Sequence, residues 1–227
     1  MKNKKLMISL ISSVCCLVLF VVFTLLVKFV DLSYVGFTGE KIGLSSINKL
    51  FYESIDVSEL FDKLSDAVMV LSILVALFVV GIGVYELVKN KSLKKVDKGI
   101  LSSGVIYVLL VLIYVVFEIV SLNYRPVLIE GELEASYPSS HIMLSLTILS
   151  CFFVFMLSRL KTKKQKTIIC TLIGVVMFVA VLFRVLSGMH WITDIVASII
   201  LVFMLTSLYV CTTCLFEKLD EKNMNQK

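Results

Sequence analysis

The stretch AVMVLSILVALFVVGIGVYELV, residues Ala67–Val88, carries a single charged side chain, Glu86, in 22 residues. A helix needs about 20 mostly apolar residues to cross the roughly 30 Å of hydrocarbon in a bilayer, so this stretch predicts a transmembrane helix. The whole chain agrees: 59% of its 227 residues are hydrophobic, and its mean hydropathy is +0.98. Soluble domains are roughly 45–50% apolar. The composition therefore excludes a soluble enzyme, a disordered tail, a collagen-like chain and a disulfide scaffold.

Five further stretches are long and apolar enough to span a bilayer. The six predicted spans are Leu6–Val30, Ala67–Val88, Ile100–Leu122, Ile142–Leu157, Ile168–Phe183 and Trp191–Phe216. The fourth and fifth reach spanning length only with the polar residues at one end. The first far exceeds the about 7–15 residues of a signal-peptide core, so we expect an uncleaved anchor. The expected fold class is an all-α integral membrane protein, with six transmembrane helices in a bundle that forms one domain over residues 1–227.

The basic residues predict the orientation of the spans. Sixteen of the 22 Lys and Arg residues lie in the two termini and in the loops after the second and fourth spans. Short basic loops favour the cytoplasm, so both termini are expected inside a cell membrane and the opposite ends outside. This distribution also accounts for the net charge of +5. We therefore expect no nucleic-acid partner, and nothing in the sequence requires a protein partner.

The segment of residues 31–66 is the long external connection. Ile47, Leu50 and Phe51 recur at helical spacing, and Leu60 and Leu64 continue an apolar pattern into the second span. Amphipathic stretches of this kind are typical of helices that lie in the membrane interface. We expect one or two short interfacial helices between the first and second spans.

The six cysteines lie in or at the ends of spans. Cys211-Thr-Thr-Cys214 has the spacing of a redox or metal motif, but the context of such a motif is missing. Packing as small apolar side chains is the favoured interpretation.

Ionisable and polar residues at the mouths of spans are costly, and they are therefore candidates for function. Three groups are expected at the outer face: Glu118 with Arg125-Pro126, then Tyr137-Pro138-Ser139-Ser140-His141, then Arg184 with His190 and Asp194. The expected active-site core is residues 118–194.

His190 and Asp194 are four residues apart, which on a helix places both side chains on one face. The carboxylate would then hold one imidazole nitrogen and leave the other as a base or nucleophile. The alternative is a structural pair at a helix start.

Ser139 and Ser140 precede an apolar run, next to His141. A helix start with free backbone N–H groups and two hydroxyls suits an anion, although serines there also serve simply as caps. Arg125 and Arg184 add guanidinium groups that match phosphate oxygens.

Together these residues predict phosphoryl transfer without a metal or another cofactor. The arginines, the serines and the helix start would hold the phosphate and stabilise charge on its oxygens. One histidine would attack phosphorus while the other protonates the leaving oxygen.

The same residues resemble the type 2 phosphatidic acid phosphatase superfamily of membrane lipid phosphatases. Its signature is KxxxxxxRP, PSGH and SRxxxxxHxxxD. The chain has Glu118 seven residues before Arg125-Pro126, then Pro138-Ser139-Ser140-His141, then Phe183-Arg184 with His190 and Asp194 at the family spacing. The resemblance implies that His190 forms a phosphohistidine, that Asp194 is its partner and that His141 is the general acid. It also implies that Arg125, Ser139, Ser140 and Arg184 bind phosphate.

Three positions depart from the signature. Ser140 replaces a glycine and Phe183 replaces a serine. The largest departure is Glu118, which stands where the family has a phosphate-binding lysine. Our hypothesis is that Glu118 orients Arg125 or Arg184 and that activity persists; the alternative is a weakened or lost phosphatase.

The expected function is a metal-independent phosphatase acting on a lipid phosphate or polyprenyl pyrophosphate at the outer face of the bilayer. The alternative is a protein that binds or transports lipid phosphates without hydrolysis. A metal-dependent hydrolase is a third possibility, and it would need further ligands from the acidic loop. Glu130, Glu132 and Glu134 alternate in that loop and are expected to be solvated rather than to bind a cation.

Overall fold

Six long apolar helices form the bulk of the protein. The computed structural model describes residues 2–35, 39–129 and 131–224. Its helices are α1 (Lys2–Phe29), α2 (Ser45–Glu53), α3 (Glu59–Asn90), α4 (Lys98–Ile119), α5 (Ser140–Arg159), α6 (Lys163–Leu186) and α7 (Ile192–Met224). All except α2 are long and apolar enough to cross a membrane. The predicted fold class, a six-span all-α membrane protein, is confirmed.

The ends of the spans differ from the sequence prediction in two places. The fourth and fifth spans extend through their polar ends, as α5 with 20 residues and α6 with 24 residues. The last helix does not stop near Phe216 but continues into the charged C-terminal segment. Residues 217–222 contain Lys and Glu but no Gly or Pro, so nothing in their backbone chemistry ends the helix.

One interfacial helix, α2, lies between the first and second spans. It follows a small antiparallel hairpin, β1 (Ser33–Tyr34) and β2 (Lys41–Ile42). The second amphipathic pattern is not a separate helix, because Leu60 and Leu64 belong to the first turns of α3. The apolar side chains of α2 at Ile47, Leu50 and Phe51 are exposed, as expected for an interfacial helix.

A buried asparagine fastens α2 to the start of α7. The Asn48 amide donates to the Gly43 carbonyl at 2.9 Å and to the Thr193 hydroxyl at 3.0 Å, and its oxygen accepts the Thr193 backbone N–H at 3.2 Å. Gly43 itself approaches α1 closely, because a Cβ there would lie 1.5 Å from the Val27 carbonyl oxygen. The interfacial segment is thereby held against two spans.

The centre of the bundle is formed by α5 and α7. In their most apolar stretches 56% and 50% of the residues are buried, against 11–28% in the other four spans. The core around them includes Ile106, Leu110, Cys151, Ala197 and Leu205. The outward faces of the other spans carry exposed aliphatic side chains, as a lipid-facing surface requires.

Serines line the contact between α1 and α7. The hydroxyls of Ser12 and Ser207 lie 3.1 Å apart, and the Ser13 hydroxyl donates to the Met204 carbonyl at 3.3 Å. Small polar residues let membrane helices approach closely, and each such bond contributes about 0.6 kcal/mol. The contact fixes α1 to the helix that carries Asp194.

The predicted basic loops meet at one end of the bundle. There Lys98 pairs with Asp220 at 2.7 Å, and Arg159 pairs with Asp97. Asp97 also caps α4 by accepting the backbone N–H groups of residues 99 and 100. The starts of α3, α5 and α7 and the ends of α4 and α6 lie at the other end.

Candidate active site

The predicted site residues converge at the end of the bundle opposite the basic loops. They come from the 120–139 connection, the start of α5, the end of α6 and the start of α7. A hydrogen bond joins the 120–139 connection to the start of α7: the buried Trp191 indole donates to the Tyr124 carbonyl at 2.7 Å. The three separate motifs of the sequence therefore form one site.

His190 and Asp194 face each other as predicted, but not on one helix. His190 lies two residues before α7, with its Nδ1 3.5 Å from Asp194 Oδ2. The chain turns there at Gly188, whose φ is +67°. The Asp194 carboxylate accepts the Trp191 backbone N–H at 3.1 Å, as an acidic residue in the first turn of a helix commonly does. The helix therefore begins after the histidine, and Asp194 bonds the Trp191 N–H while lying within ion-pair distance, but not hydrogen-bond geometry, of His190 Nδ1.

Arg184 connects this histidine to α3. Its guanidinium is 1% exposed; Nη1 donates to Asp62 Oδ1 at 2.5 Å, and Nη2 donates to His190 Nε2 at 2.6 Å. A guanidinium only donates, so Nε2 presents its lone pair and the proton of a neutral imidazole lies on Nδ1, toward Asp194. The site therefore holds the tautomer that a nucleophilic Nε2 requires.

The surroundings favour the neutral form of His190. Burial, followed by the positive charges of Arg184 and Arg125, lowers the pKa of His190 well below its usual range. A buried imidazole next to two guanidinium groups gains nothing from a third positive charge. His190 Nε2 thus stays unprotonated at neutral pH, with its lone pair accepting the hydrogen bond from Arg184.

His141 lies in the first turn of α5, next to an acidic residue of α3. Its Nε2 is 2.7 Å from Asp66 Oδ1. Its Nδ1 is buried and makes no hydrogen bond to any residue that the structure describes. The second histidine is therefore held through one ring nitrogen only.

The two serines differ in their surroundings. Ser139 occupies the N-cap position of α5, but its hydroxyl makes no cap bond, and it is buried without a partner among the described residues. The alternative interpretation, that Ser139 is simply a side-chain cap, is therefore not what the structure shows. The Ser139 backbone N–H donates instead to the Asp194 carbonyl at 3.3 Å. Ser140 is half-buried and lines the cavity described below.

Arg125 is held by the acidic loop. Its Nε lies 3.0 Å from Glu134 Oε2, and its backbone N–H donates to the Glu134 carbonyl at 3.0 Å. Glu118 is exposed next to Tyr114. The hypothesis that Glu118 orients an arginine is therefore wrong, because Glu134 and Asp62 are nearer in space and take those places.

A cavity of about 610 Å³ opens beside these residues. Its polar wall contains Arg125, Ser140, His141, Glu118 and Glu134. Its apolar wall comes from α3 and α5 and contains Met69, Ile73 and Leu144. A space with one charged wall and one aliphatic wall suits a molecule with an anionic head and an apolar tail.

The acidic loop is only partly a solvated loop. Glu132 is exposed, Glu134 pairs with Arg125, and Glu130 lies outside the described residues. Within residues 2–35, 39–129 and 131–224, no three His, Cys, Asp or Glu side chains are grouped closely enough to hold a metal ion.

The sequence motifs do not identify three acidic residues of the site: Asp62, Asp66 and Glu134. Asp62 and Asp66 are four residues apart at the mouth of a span, which is itself a signal of function. Their assignment to an interfacial segment hid that signal. Glu134 had been noted only for its alternation with Glu132.

The fold and site define a class of protein: a six-span membrane protein with a buried histidine, two arginines and a helix start gathered at one end of the bundle. The PAP2 superfamily model matches residues 104–218, which are 115 of the 227 residues. The chain belongs to the PAP2 superfamily, as the three motifs predicted.

A solved structure shares the fold. It is the "first transmembrane PAP2 type phosphatidylglycerolphosphate phosphatase from Bacillus subtilis", with a TM-score of 0.58 at 16% sequence identity, over 93% of this chain and 96% of that one. No curated protein matches the sequence.

Proposed function

We propose that the protein is a metal-independent phosphatase that removes phosphate from a membrane lipid phosphate or pyrophosphate through a phosphohistidine. Membership of the PAP2 superfamily supports a phosphatase. The observation that carries the mechanism is the 2.6 Å contact between Arg184 Nη2 and His190 Nε2. It supports a neutral nucleophile whose Nε2 faces a guanidinium that fits phosphate oxygens.

In the first step, the phosphate oxygens bind to Arg184, Arg125 and the N-terminus of α5. Arg184 Nη2 leaves Nε2 of His190 and binds a phosphate oxygen, which frees the lone pair. Nε2 attacks phosphorus, the bond to the leaving oxygen breaks, and His141 gives that oxygen a proton. Asp194 stabilises the charge on the modified ring from Nδ1, over a contact that is long without substrate and is expected to tighten with it.

The second step returns the enzyme to its starting form. His141, now neutral, takes a proton from a water molecule, and the resulting hydroxide attacks the phosphohistidine. The P–N bond breaks, inorganic phosphate leaves, and Nε2 recovers its lone pair. The serine hydroxyls of Ser139 and Ser140 would donate to phosphate oxygens in both steps, which gives the unpaired Ser139 hydroxyl a partner.

The substrate is proposed to enter sideways from the outer leaflet. The aliphatic wall of the 610 Å³ cavity supports a lipid tail, and the basic loops at the opposite end support an outward-facing site. Phosphatidic acid, phosphatidylglycerol phosphate and polyprenyl pyrophosphates share the required anionic head and apolar tail. The name of the solved PAP2 structure makes phosphatidylglycerol phosphate a natural member of any substrate panel.

A second candidate function is lipid-phosphate binding or transport without hydrolysis. One observation favours it: each arginine already contacts a carboxylate, and Glu118 adds a further one to the cavity wall. A phosphate dianion would have to displace or neutralise these groups. Binding alone tolerates such competition better than a reaction that needs both arginines on the phosphate.

The deciding experiment is phosphate release from the three lipid classes in EDTA. Wild type is compared with His190→Ala and with Lys63→Ala, a matched change at the same end that removes only an exposed pair with Glu59. The proposal expects release by wild type and by the Lys63 variant, and none by the His190 variant. Release that survives in the His190 variant refutes the mechanism, and lipid binding without release by wild type supports the second candidate.

A further inference from the structure

Two acidic residues on one face of α3 reach the two sides of the site. Asp62 and Asp66 are one helical turn apart, and they contact Arg184 and His141 at 2.5 Å and 2.7 Å. Neither belongs to the three motifs that define the family signature in this chain. The question is what the second contact does for His141, whose other nitrogen has no partner among the described residues.

The position of Asp66 is fixed by the structure around it. The Ser58 backbone N–H at the start of α3 donates to the Ser187 carbonyl at the end of α6, at 3.1 Å. The pair between buried Arg184 and Asp62, which is 26% exposed, repeats the attachment one turn later, and Ser65 of the same helix is buried. α3 therefore cannot rotate without breaking a charged contact, and its backbone holds Asp66 beside His141, although the Asp66 side chain is 52% exposed.

A carboxylate on one ring nitrogen fixes both the tautomer and the orientation of an imidazole. With Nε2–H directed at Asp66, the proton that His141 exchanges with substrate is on Nδ1. In the protonated ring Nδ1–H donates to the leaving oxygen, and in the neutral ring the Nδ1 lone pair takes the proton of water. Both steps then use one nitrogen of a ring that does not turn.

We infer that Asp66 is the positioning residue of His141, which holds the Nε2–H and assigns Nδ1 to the reacting oxygen. The inference rests on the proposed function and adds a residue from α3 to it. It gives the two histidines parallel arrangements, each with a carboxylate on the nitrogen that does not react: Asp194 for His190 and Asp66 for His141. Asp66 itself touches no reacting atom.

The test uses the dependence of the rate on the leaving group. An alkoxide leaves only with a proton, whereas a nitrophenolate leaves without one. The substrates are dioleoyl phosphatidate and 4-dodecyl-2-nitrophenyl phosphate, a monoester that carries its alkyl chain on the ring, both in detergent micelles. The variants are Asp66→Asn, His141→Ala and the double variant, with Asp56→Asn as the matched control, since Asp56 is an exposed carboxylate at the same end of the protein.

For Asp66→Asn we expect kcat/KM on phosphatidate to fall about 10- to 100-fold, the range for losing a residue that orients a reacting one. On the nitrophenyl ester kcat/KM should change less than about threefold, because formation of the phosphohistidine from that ester needs no acid. The comparison uses kcat/KM because hydrolysis of the phosphohistidine, in which His141 is the base, is common to both esters and affects only kcat. In the double variant the Asp66 change should add nothing to the loss from His141→Ala, since it acts through that ring.

The other outcomes separate two failures. Equal losses of kcat/KM on both esters, additive losses in the double variant, or a faster Asp66→Asn enzyme would each overturn the inference, the last by showing that Asp66 blocks His141. In all three cases the proposed function still stands if phosphate release by the wild-type protein depends on His190. If wild type releases phosphate from neither ester, the proposed function fails and the inference fails with it.

Discussion

Replacing Arg184 by Lys isolates the role of the guanidinium fork. The substitution keeps one positive charge and most of the side-chain length. It removes the two separate nitrogens that bond Asp62 on α3 and Nε2 of His190. A single ammonium cannot meet two partners on opposite sides with the same geometry. The buried position, 1% exposed, offers no water to replace the lost bond.

The magnitude follows from these two contacts. In the reaction the fork is proposed to bind phosphate oxygens, and loss of one such donor costs about 2.7–4 kcal/mol of transition-state stabilisation, or 10²–10³ in kcat. For folding, the bond to Asp62 is charge-assisted and would be worth about 1.5–3 kcal/mol if fully buried. Asp62 is 26% exposed, so we expect about 1–2 kcal/mol. Activity should fall far more than stability.

The assay measures kcat for lipid phosphate in EDTA and thermal unfolding in the same detergent. Arg159→Lys is the matched control, because Arg159 pairs with Asp97 at the opposite end of the bundle. The control should keep its activity. An Arg184→Lys enzyme with more than half of the wild-type kcat would refute the reasoning, since a point charge would then suffice at this place.

Three further predictions concern the support of the site and the state of its nucleophile. Asn48→Ala removes the bonds to Thr193 at the start of α7 and should lower the unfolding free energy by about 1–3 kcal/mol. The measurement is thermal unfolding in detergent. Lys49→Ala, on the same helix but half-exposed, is the control and should be nearly neutral. Gly43→Ala places a methyl group 1.5 Å from a backbone oxygen of α1 and should reduce the yield of folded protein on size-exclusion chromatography, and a normal yield would contradict that close approach. In the proposed mechanism His190 attacks only as the neutral ring, and because burial beside two arginines lowers its pKa, activity should persist as the pH falls through about 6.5. The measurement is kcat/KM against pH with two substrates that differ in phosphate pKa; an acid limb that stays above pH ~6.5 for both would contradict the prediction.

The features that depend on residues close together in the sequence could be predicted. Runs of apolar residues gave six spans because burial of the backbone in lipid demands long helices. The three motifs located His141, His190 and the two arginines, since each motif keeps its residues close together in the sequence. The structure then brought the motifs together without revision of their membership.

Contacts between distant elements could not be predicted from the sequence. Asp62 and Asp66 reach the site only because α3 packs against α5 and α6, and no local pattern encodes that packing. Glu134 takes Arg125 because the 120–139 connection folds back on itself, with Tyr124 opposite Ala135. Sequence spacing alone favoured Glu118 as the partner of an arginine, but the structure pairs Arg125 with Glu134 and Arg184 with Asp62.

The central claim is that His190 carries the phosphoryl group between the two steps. The direct measurement mixes the protein with phosphatidate that is radiolabelled in its phosphate, quenches the reaction in alkali within milliseconds, and maps the label by peptide mass spectrometry. A phosphohistidine survives alkali and is lost in acid. If His190 carries the phosphoryl group, label appears at His190 and decays as phosphate is released, and no label appears in His190→Ala. Label on any other residue, or phosphate release with no labelled protein at any time in the first turnover, would contradict it.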